Sequence, residues 1–194
     1  MNKSEITLEG QFIRLEPLSL KHLEDLTLIG LDEDLWRLIP TQIKNKSDMK
    51  IYIETALKEK SQGVSIPFAT VLKSTGKPIG STRFGNIDLN NKRLEIGWTW
   101  LTKSHQRTYA NSEAKLLMLE YAFEKLNCNR VEFKTDSLNV KSQNAILRLG
   151  ATKEGILRRH IVCQNGRIRD SVYFSIINSE WEKIKNKLKI ELYK

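Results

Sequence analysis

A strand–helix–strand succession in the middle of the chain constrains the fold more than any other feature. The run LEIGWTWL, residues 94–101, reads as a strand, and RVEFKT, residues 130–135, alternates between apolar and polar residues like a second strand. The segment between them carries an apolar stripe at helical spacing, formed by Ala114, Leu117, Met118, Tyr121 and Ala122. This succession predicts a right-handed crossover that joins two parallel strands.

The residues before this crossover predict further strands and helices. These elements are the strands 11–18, 66–72 and 78–84, and helices at about 19–38 and 49–60. The turn at 73–77 predicts that the last two strands form a hairpin. Ser19 and Ser47 are residues that favour the capping position before a helix, so they mark the two helix starts.

The residues after the crossover predict a helix, a hairpin and a helical tail. These elements are a helix at 139–149, strands at 155–163 and 167–177, and a last helix that follows Asn178 or Ser179 and runs to Leu188. Gly150 suits a left-handed helix end, and Asn165-Gly166 is a strong hairpin turn. The order β-α-α-β-β-β-α-β-α-β-β predicts one mixed α/β domain over residues 1–194.

The composition limits the partners and the kinds of site. The net charge of +9 is typical of a protein that binds a polyanion, although a basic, well-solvated surface explains it equally well. Cys128, Cys163 and three scattered histidines favour neither a disulfide framework nor a metal site. The N-terminal MNKSEITLEGQF has no apolar run of the signal-peptide kind, and no run is long enough for a membrane span. We therefore expect a cytoplasmic protein that binds no metal and no membrane.

The turn before the central helix is basic and contains no glycine. Its polar residues are Lys103, His105, Gln106, Arg107 and Thr108. We expect the helix to start near Asn111, with Glu113 in its first turn, and the free N–H groups of a helix start attract phosphate. The turn is therefore either a pyrophosphate cradle or simply a capped loop.

Several motifs in order along the chain resemble the GNAT acetyltransferase superfamily, and more closely its RimJ/RimL-type branch, which includes N-terminal acetyltransferases of ribosomal proteins. The matching pieces are LEGQFIRLEPL, NSEAK, VEFKTD, the N-x-x-S at 139–142 and RIRDSVYFSI. The resemblance implies a mixed, mostly antiparallel twisted sheet with splayed strands and helices on both faces. It also implies transfer of an acetyl group from acetyl-CoA to a primary amine, without a metal.

In that family, acetyl-CoA is bound by a strand, a turn of the pattern R/Q-x-x-G-x-G/A and the following helix. Its two small positions fall here on Arg107 and Tyr109, and a β-carbon disfavours the positive φ that glycine permits. We expect the side chain of Arg107, or of Gln106, to contact the pyrophosphate instead. The opposing hypothesis is weak binding or none.

The resemblance implies the acetyl-CoA contacts as a set. They are Trp98, Trp100, Leu101, Gln106, Arg107, Thr108, Tyr109, Ala110, Asn111, Asn139 and Ser142. The resemblance implies that backbone N–H groups of residues 98–101 contact the pantetheine arm and the thioester oxygen. The side chains of Trp98, Trp100 and Trp36 are of a type that is more often part of the core. Asn139 contacts the pantetheine or the substrate, caps its helix, or does both.

The resemblance also implies which residues act as general base and general acid. Some relatives have a general base at the position of Glu95, which by strand alternation shares a face with Gly97 and Thr99, although a surface glutamate fits as well. Many relatives have a proton-donating tyrosine where this chain has Ile146, so Ser142 becomes the candidate acid for the leaving thiolate. Gly97 predicts either a bulge or close packing beside a tryptophan.

The acceptor side is less defined. His160 is a candidate to take the proton of the amine, and Tyr173 to line the acceptor site, although both residue types are more often packed in the protein. The acceptor groove is expected between residues 26–40 and the terminal hairpin. The acceptor is a protein N-terminal α-amine, a polyamine, an amino sugar or an antibiotic amine, and the basic surface disfavours polyamines.

Two other classes of function remain open at this point. The charge alone suggests a nucleic-acid-binding protein, whose affinity would fall steeply with salt. The missing glycines and Ile146 suggest a catalytically silent acyl-CoA sensor on the same fold. A homodimer is common in the RimJ/RimL-type branch, so the resemblance makes one possible here, although the sequence does not show the interface.

Overall fold

The computed structural model describes residues 6–193, which form an eight-stranded sheet flanked by helices. The strands are β1 (Leu8–Glu9), β2 (Ile13–Pro17), β3 (Ile66–Leu72), β4 (Pro78–Asp88), β5 (Arg93–Leu101), β6 (Arg130–Asp136), β7 (Thr152–Val162) and β8 (Ile168–Ile177). The helices are α1 (Leu23–Gly30), α2 (Lys46–Ser61), α3 (Tyr109–Glu120), α4 (Val140–Leu149) and α5 (Trp181–Leu192). The N-terminal stretch on which the signal-peptide prediction rests lies partly outside the described residues.

The sheet has the strand order β1-β2-β3-β4-β5-β6-β8-β7, and its pairs are antiparallel except for β5 with β6. That parallel pair is joined through α3, which confirms the predicted crossover. The hairpin of β7 and β8 and the left-handed end of α4 at Gly150, with φ of 100°, are also confirmed. The sheet is therefore the mixed, mostly antiparallel one that the resemblance implies.

Two apolar cores lie on opposite faces of the sheet. One face packs against α3, α4 and α5 through residues such as Leu116, Ile146 and Trp181. The other packs against α1 and α2 through Leu26 and Ile53, which meet Trp100 of β5. Alternate residues of a strand point to opposite faces, so one strand serves both cores.

The prediction of a single helix over 19–38 is wrong. A 3₁₀ turn precedes α1, which ends at Gly30, and a second 3₁₀ turn follows at Glu33–Leu35. Asp32 accepts a hydrogen bond from the backbone N–H of Asp34, and the indole N–H of Trp36 donates to the Gly30 carbonyl at 2.7 Å. The first bond caps the second 3₁₀ turn and the other satisfies a carbonyl at the end of α1, so the chain turns there instead of continuing as a helix.

The start of α2 also differs from the prediction. The helix begins at Lys46, and Asn45 caps it by accepting a hydrogen bond from the Asp48 N–H at 3.0 Å. Ser47, the predicted cap, lies inside the first turn. Asn and Ser are equally good caps, so the sequence alone does not choose between them.

No helix within residues 6–193 has the combination of length and apolar character that a bilayer span requires. Cys128 and Cys163 are both buried and free.

A buried carboxylate ties α3 to the start of the sheet. Glu113, fully buried in the first part of α3, accepts hydrogen bonds from the backbone N–H groups of Gln11, Phe12 and Ile13 at 2.7, 2.9 and 2.8 Å. The hydroxyl of Tyr193, just after α5, donates to the same carboxylate at 3.0 Å. One side chain thus joins β2, α3 and the end of α5.

We expect Glu113→Gln to destabilise the fold strongly. The amide has the same shape, but it lacks the charge that three backbone donors share, and its NH₂ group opposes some of them. The expected loss in the free energy of unfolding is about 2–4 kcal/mol, measured by urea unfolding. The matched control is Glu120→Gln on the same helix, whose partly exposed carboxylate pairs with Lys189 at 2.8 Å and is expected to contribute about 1 kcal/mol or less. Equal losses in both variants would contradict this role of Glu113.

Candidate functional site

The parallel strands β5 and β6 separate along their length. They pair only at Arg93–Glu95 with 130–132, whereas β6 stays paired with β8 as far as Asp136. From residue 96 onward, β5 diverges from β6, and the side of β5 that faces β6 has no neighbouring strand. We call this opening the β5–β6 cleft. Backbone groups along it are available to a ligand, and the splayed strands that the resemblance implies are present.

A β-bulge shapes β5 at the cleft. The register passes from Arg83↔Gly97 to Ser81↔Trp100, so Trp98 and Thr99 both lie opposite Thr82 of β4. Trp98 has a φ of 49°, which confirms the bulge that Gly97 suggested. The extra residue reverses the alternation of side chains beyond it.

The prediction that Glu95 shares a face with both Gly97 and Thr99 is therefore only half right. An added Cβ on Gly97 would lie 2.8 Å from Oε1 of Glu95, so these two residues do share a face. Thr99 lies beyond the bulge and contacts Lys115 of α3, on the opposite face of the sheet. Glycine is required at 97 because the Glu95 carboxylate occupies the space of a side chain.

The start of α3 lies at the open end of the cleft. Its cap is Thr108, whose hydroxyl accepts a hydrogen bond from the Ala110 N–H, so the predicted cap Asn111 is wrong and lies inside the helix. Arg107 has a φ of 60°, the left-handed conformation that glycine usually supplies. The turn thus has the backbone shape of a glycine turn and carries an exposed guanidinium as well.

The neighbours of Arg107 have other partners. Gln106 donates to the Leu101 carbonyl at 2.9 Å and accepts a hydrogen bond from Lys141 of α4. It therefore connects the end of β5 to the start of α4. Lys103 pairs with Asp34 at 2.8 Å and with Asp32 at 2.9 Å, which raises its pKa. Among the polar residues of the turn, Arg107 is therefore better placed than Gln106 or Lys103 to meet an anion.

The large apolar and aromatic side chains of the turn and of β5 differ in burial. Tyr109 is the first residue of α3, and its ring lies 4.2 Å from the ring of Phe12. Trp100 and Leu101 are buried in the two cores, so only their backbone groups are available to a ligand. Trp98 is half-buried beside the cleft and is not a core residue.

The start of α4 lies at the same end of the cleft as the start of α3, because β5 and β6 run parallel. Asn139 caps α4 by accepting a hydrogen bond from the Ser142 N–H at 3.0 Å. The Ser142 hydroxyl takes no part in this cap, and Ile146, one turn further on, is buried in the core. Two helix starts with positive dipole ends, together with Arg107 and Lys141, make this end of the cleft favourable for a polyphosphate.

Glu95 is buried on the α1–α2 side of the cleft. Its Oε2 pairs with Lys134 at 2.8 Å and accepts a hydrogen bond from the Asn86 amide at 2.7 Å, which leaves Oε1 beside Gly97. Lys134 is the group that holds this carboxylate in place. Sequence reasoning missed it, although the alternation of RVEFKT puts it on the polar face of β6.

A row of side chains runs from the cleft across β6 and β8. The Nζ of Lys134 lies 6.0 Å from the centre of the Trp98 ring and 5.8 Å from that of Tyr173. The rings of Tyr173 and His160 meet edge to face at 5.7 Å. Burial, followed by the charges of Lys134 and Arg169, lowers the pKa of His160 below its ordinary value, so its imidazole is neutral at pH 7. The structure thus brings the two predicted acceptor residues together.

A groove of about 210 Å³ lies next to this row, between α2 and the β7–β8 turn. Its walls include Thr41, Tyr52, Glu59, Arg83, Trp98 and Gln164. Arg83 is buried, pairs with Glu59 at 2.7 Å and lies between the rings of Tyr52 and Trp98, at 5.2 and 5.0 Å from their centres. The predicted acceptor groove lies between residues 26–40 and the terminal hairpin. The observed groove is lined by the hairpin turn and by Thr41, which follows that range, but not by residues 26–40 themselves.

Residues 6–193 contain no group of three or more His, Cys, Asp or Glu side chains arranged to hold a metal ion.

A buried lysine lies beneath the bulge. Lys115 of α3 is 5% exposed and donates hydrogen bonds to the hydroxyls of Thr99 at 2.6 Å and Thr82 at 3.2 Å. Burial without a carboxylate partner lowers its pKa to about 7. A lysine within an apolar helix face gives no sequence signal of burial, because charged residues are nearly always exposed.

Comparison with known proteins gives a consistent result. Residues 13–152 match the family model described as an acetyltransferase (GNAT) domain. Over 107 residues, 55% of this chain, the sequence is 34% identical to YdaF of Bacillus subtilis, provisionally described as a ribosomal N-acetyltransferase. The match spans 57% of YdaF, which is less than two thirds of that relative.

Solved structures have the same fold. A GCN5-related N-acetyltransferase from Brucella melitensis is 29% identical, with a TM-score of 0.90 over 97% of this chain and 86% of that one. RimJ of Mycobacterium smegmatis, solved in complex with CoA-disulfide, is 19% identical, with a TM-score of 0.78 over 92% of this chain and 88% of that one. At that identity, the likeness to RimJ concerns the fold alone.

We expect Lys115→Met to stabilise the protein at pH 6 by about 2–4 kcal/mol, because a protonated ammonium is buried there without a counter-charge. The pKa of Lys115 is about 7 in the folded protein and 10.5 in the unfolded chain. Between pH 7 and 10.5 the unfolded chain therefore binds more protons at this residue than the folded protein does. Wild-type stability therefore rises relative to the variant as pH increases from 7 to 10.5, and the gap closes. Urea unfolding across this range measures it, with exposed Lys125→Met as the control. A gap that does not change with pH would refute the expectation.

Proposed function

The chain belongs to the GNAT acetyltransferase family, and we propose that it transfers the acetyl group of acetyl-CoA to the α-amine of a protein N-terminus. The observation that carries the proposal is the β5–β6 cleft, with the starts of α3 and α4 at its open end. N-acetyltransferase is the activity of the family. The donor, the acceptor and the roles of single residues are the proposed part.

Acetyl-CoA supplies an acetyl group activated as a thioester. The pyrophosphate fits the start of α3, where free N–H groups and the exposed Arg107 favour negative charge. The pantetheine arm fits the unpaired side of β5 from residue 96 to Leu101, whose backbone groups satisfy an extended amide chain. The RimJ structure, which has the same fold, was solved in complex with CoA-disulfide, and this supports a CoA ligand for the fold.

The amine must lose a proton before or during its attack, and two groups beside the cleft are suited to accept it. Glu95 presents Oε1 at Gly97 while Lys134 and Asn86 hold its other oxygen. His160 is neutral at pH 7 and lies beside Tyr173. Glu95 is closer along the chain to the bulge, so we assign it as the base and His160 and Tyr173 to acceptor binding.

The leaving thiolate needs a proton donor, and we assign this role to Ser142. Its hydroxyl is not used by the helix cap, and the positive end of α4 stabilises a nearby anion. Ile146, at the position where many relatives have a tyrosine, has no proton to give. Asn139 holds the start of α4 and thereby positions Ser142.

The acceptor assignment rests on the groove beside Trp98 and on the name of YdaF. A groove bordered by α2 and the β7–β8 turn accommodates the extended end of a peptide. The basic surface is compatible with an acceptor in an RNA-rich assembly such as the ribosome. A cytoplasmic location, where acetyl-CoA is available, belongs to the same proposal, and the homodimer stays a prediction.

The first prediction concerns Arg107. Isothermal titration of wild type with acetyl-CoA is expected to show binding, and Arg107→Gly to weaken it about tenfold, because the variant keeps the backbone turn and loses one charge-assisted bond. The difference should shrink at high salt. The control is Arg148→Ala, which removes an exposed arginine of α4 away from the turn and should bind acetyl-CoA like wild type.

Unchanged affinity in Arg107→Gly would show that the backbone cradle alone is sufficient. No heat with wild type at high acetyl-CoA concentration would contradict the cofactor proposal and favour a different ligand for this fold.

The second prediction concerns Ser142. Ser142→Ala keeps the backbone N–H that bonds to Asn139, so the helix cap and the fold should be retained. We expect the turnover number to fall about 100-fold while the affinity for acetyl-CoA changes little, measured by thiol release and by titration. Asn144→Ala, exposed on the same helix, is the control. Unchanged turnover in Ser142→Ala would remove Ser142 from the mechanism.

The competing functions give different results when product formation, acetyl-CoA binding and nucleic-acid binding are measured side by side. Mass spectrometry of a library of amines and N-terminal peptides after incubation with acetyl-CoA identifies the acceptor class. Binding of acetyl-CoA without product from any member favours the silent sensor. RNA or duplex binding that falls steeply with salt, without acetyl-CoA binding, favours the nucleic-acid-binding protein.

A further inference from the structure

A buried arginine of the last strand forms no salt bridge within the part of the chain that the structure describes. Arg169 of β8 is 5% exposed, and its Nε has no hydrogen-bond partner within residues 6–193. The nearest carboxylates are already engaged, because Asp136 pairs with Arg167 and Glu95 with Lys134. A guanidinium stays protonated, and a buried charge without a partner is costly. Such an arrangement is expected where a ligand brings the missing charge.

Two further polar atoms on the same part of the sheet have no partner. Ser171 is fully buried and lies two residues from Arg169, on the same face of β8, and its hydroxyl forms no hydrogen bond. The Nδ1 of His160, on the neighbouring strand β7, also has none. Buried polar atoms are almost always hydrogen-bonded, so three unpartnered ones on adjacent strands point to a ligand-binding position.

This position lies at the acceptor side of the proposed active site. Ser171 pairs with Asp136 in the sheet, and Tyr173 pairs with Lys134, so Ser171 is one step further toward the open end of the cleft. The ring of Tyr173 contacts that of His160. The β7–β8 turn is held near residues 40–42, since Gln164 donates to the Pro40 carbonyl at 2.9 Å and accepts from the Gln42 N–H at 2.6 Å.

We propose that Arg169, with Ser171 beside it, binds a carboxylate of the acceptor, so that the enzyme acts on primary amines that carry a carboxylate. This inference rests on the proposed function, because it concerns the acceptor of that reaction. Arg169 and Ser171 are then the residues that determine which amine is selected.

A carboxylate fits better than a phosphate. The guanidinium offers two parallel N–H donors, which match the two oxygens of a carboxylate. One guanidinium balances one negative charge, whereas a phosphate dianion needs more. The carboxylates of Asp136 and Glu95 lie close enough to interact with Arg169, and they would repel a dianion more strongly than a monoanion.

The test compares pairs of amines that differ only in charge. L-alanine is compared with L-alaninamide, and the peptide Ala-Asp-Gly-amide with Ala-Asn-Gly-amide. Acetylation rates are measured with acetyl-CoA, and binding is measured separately by thermal shift in the presence of CoA. We expect the carboxylate of at least one pair to be preferred about tenfold or more in both measurements. The first pair reports on a free amino acid, and the second on an acidic residue in a peptide.

The variants then assign the preference. In Arg169→Gln the ratio within the preferred pair should fall to near one, in Arg169→Lys part of it should remain, and in Ser171→Ala it should be reduced. Exposed Arg158→Gln on β7 should retain the wild-type ratio. If Arg169→Gln does not fold, the Lys and Ser171→Ala variants together with the wild-type ratio decide the question.

The outcomes separate this inference from the proposed function. Acetylation of both members of each pair at equal rates, or a preference that persists in Arg169→Gln, would overturn the carboxylate site and leave the acetyltransferase proposal standing. Carboxylate-dependent binding without any acetylation would support the site and contradict the proposed acceptor chemistry. Neither binding nor acetylation of any of the four amines would overturn the carboxylate site, and the measurement with the library of amines and N-terminal peptides would then decide the acetyltransferase proposal separately.

Discussion

The carboxylate of Glu113 is the contact on which the arrangement of the fold depends. It gathers three consecutive backbone N–H groups ahead of β2 and the hydroxyl of Tyr193, and so fixes α3 against one end of the chain and the helix at the other. An added Cβ on Gly10 would lie 2.5 Å from this carboxylate, so the chain passes directly over it. Because the start of α3 lies one turn away, the same contact sets where that start meets the sheet.

The cleft arises from two local departures from a regular sheet. Strands β5 and β6 pair for three residues and then separate, and the bulge at Trp98 lets β5 turn its side chains over at that point. The result places Thr99 and the buried Lys115 on one face of the sheet. Glu95 and Lys134 lie on the other face, together with Tyr173 and His160. A regular sheet would have closed this space with backbone hydrogen bonds, and no ligand would enter.

Much of the fold follows from local sequence, whereas details of the site do not. Apolar periodicity and turn residues predict the crossover through α3, the hairpin at Asn165-Gly166 and the helix end at Gly150. The sequence predicts the starts of α2 and α3 late. Asn45 and Ser47 are equally good caps, and Asn111 is a better cap than Thr108, so the end of the preceding segment decides where each helix starts. The reversal at Trp98 and the unpaired Arg169 depend on contacts distant along the chain, which periodicity does not encode.

The left-handed arginine at 107 restricts the backbone of the turn before α3. A glycine there samples many backbone conformations in the free protein, and a ligand must freeze them on binding. An arginine samples fewer backbone conformations, so less conformational entropy is lost on binding. The left-handed conformation costs about 1 kcal/mol, and this cost reduces the stability of the folded state. A turn whose backbone is fixed before binding exchanges adaptability for pre-organisation, and under the proposed function this lowers the entropic cost of binding the acetyl donor.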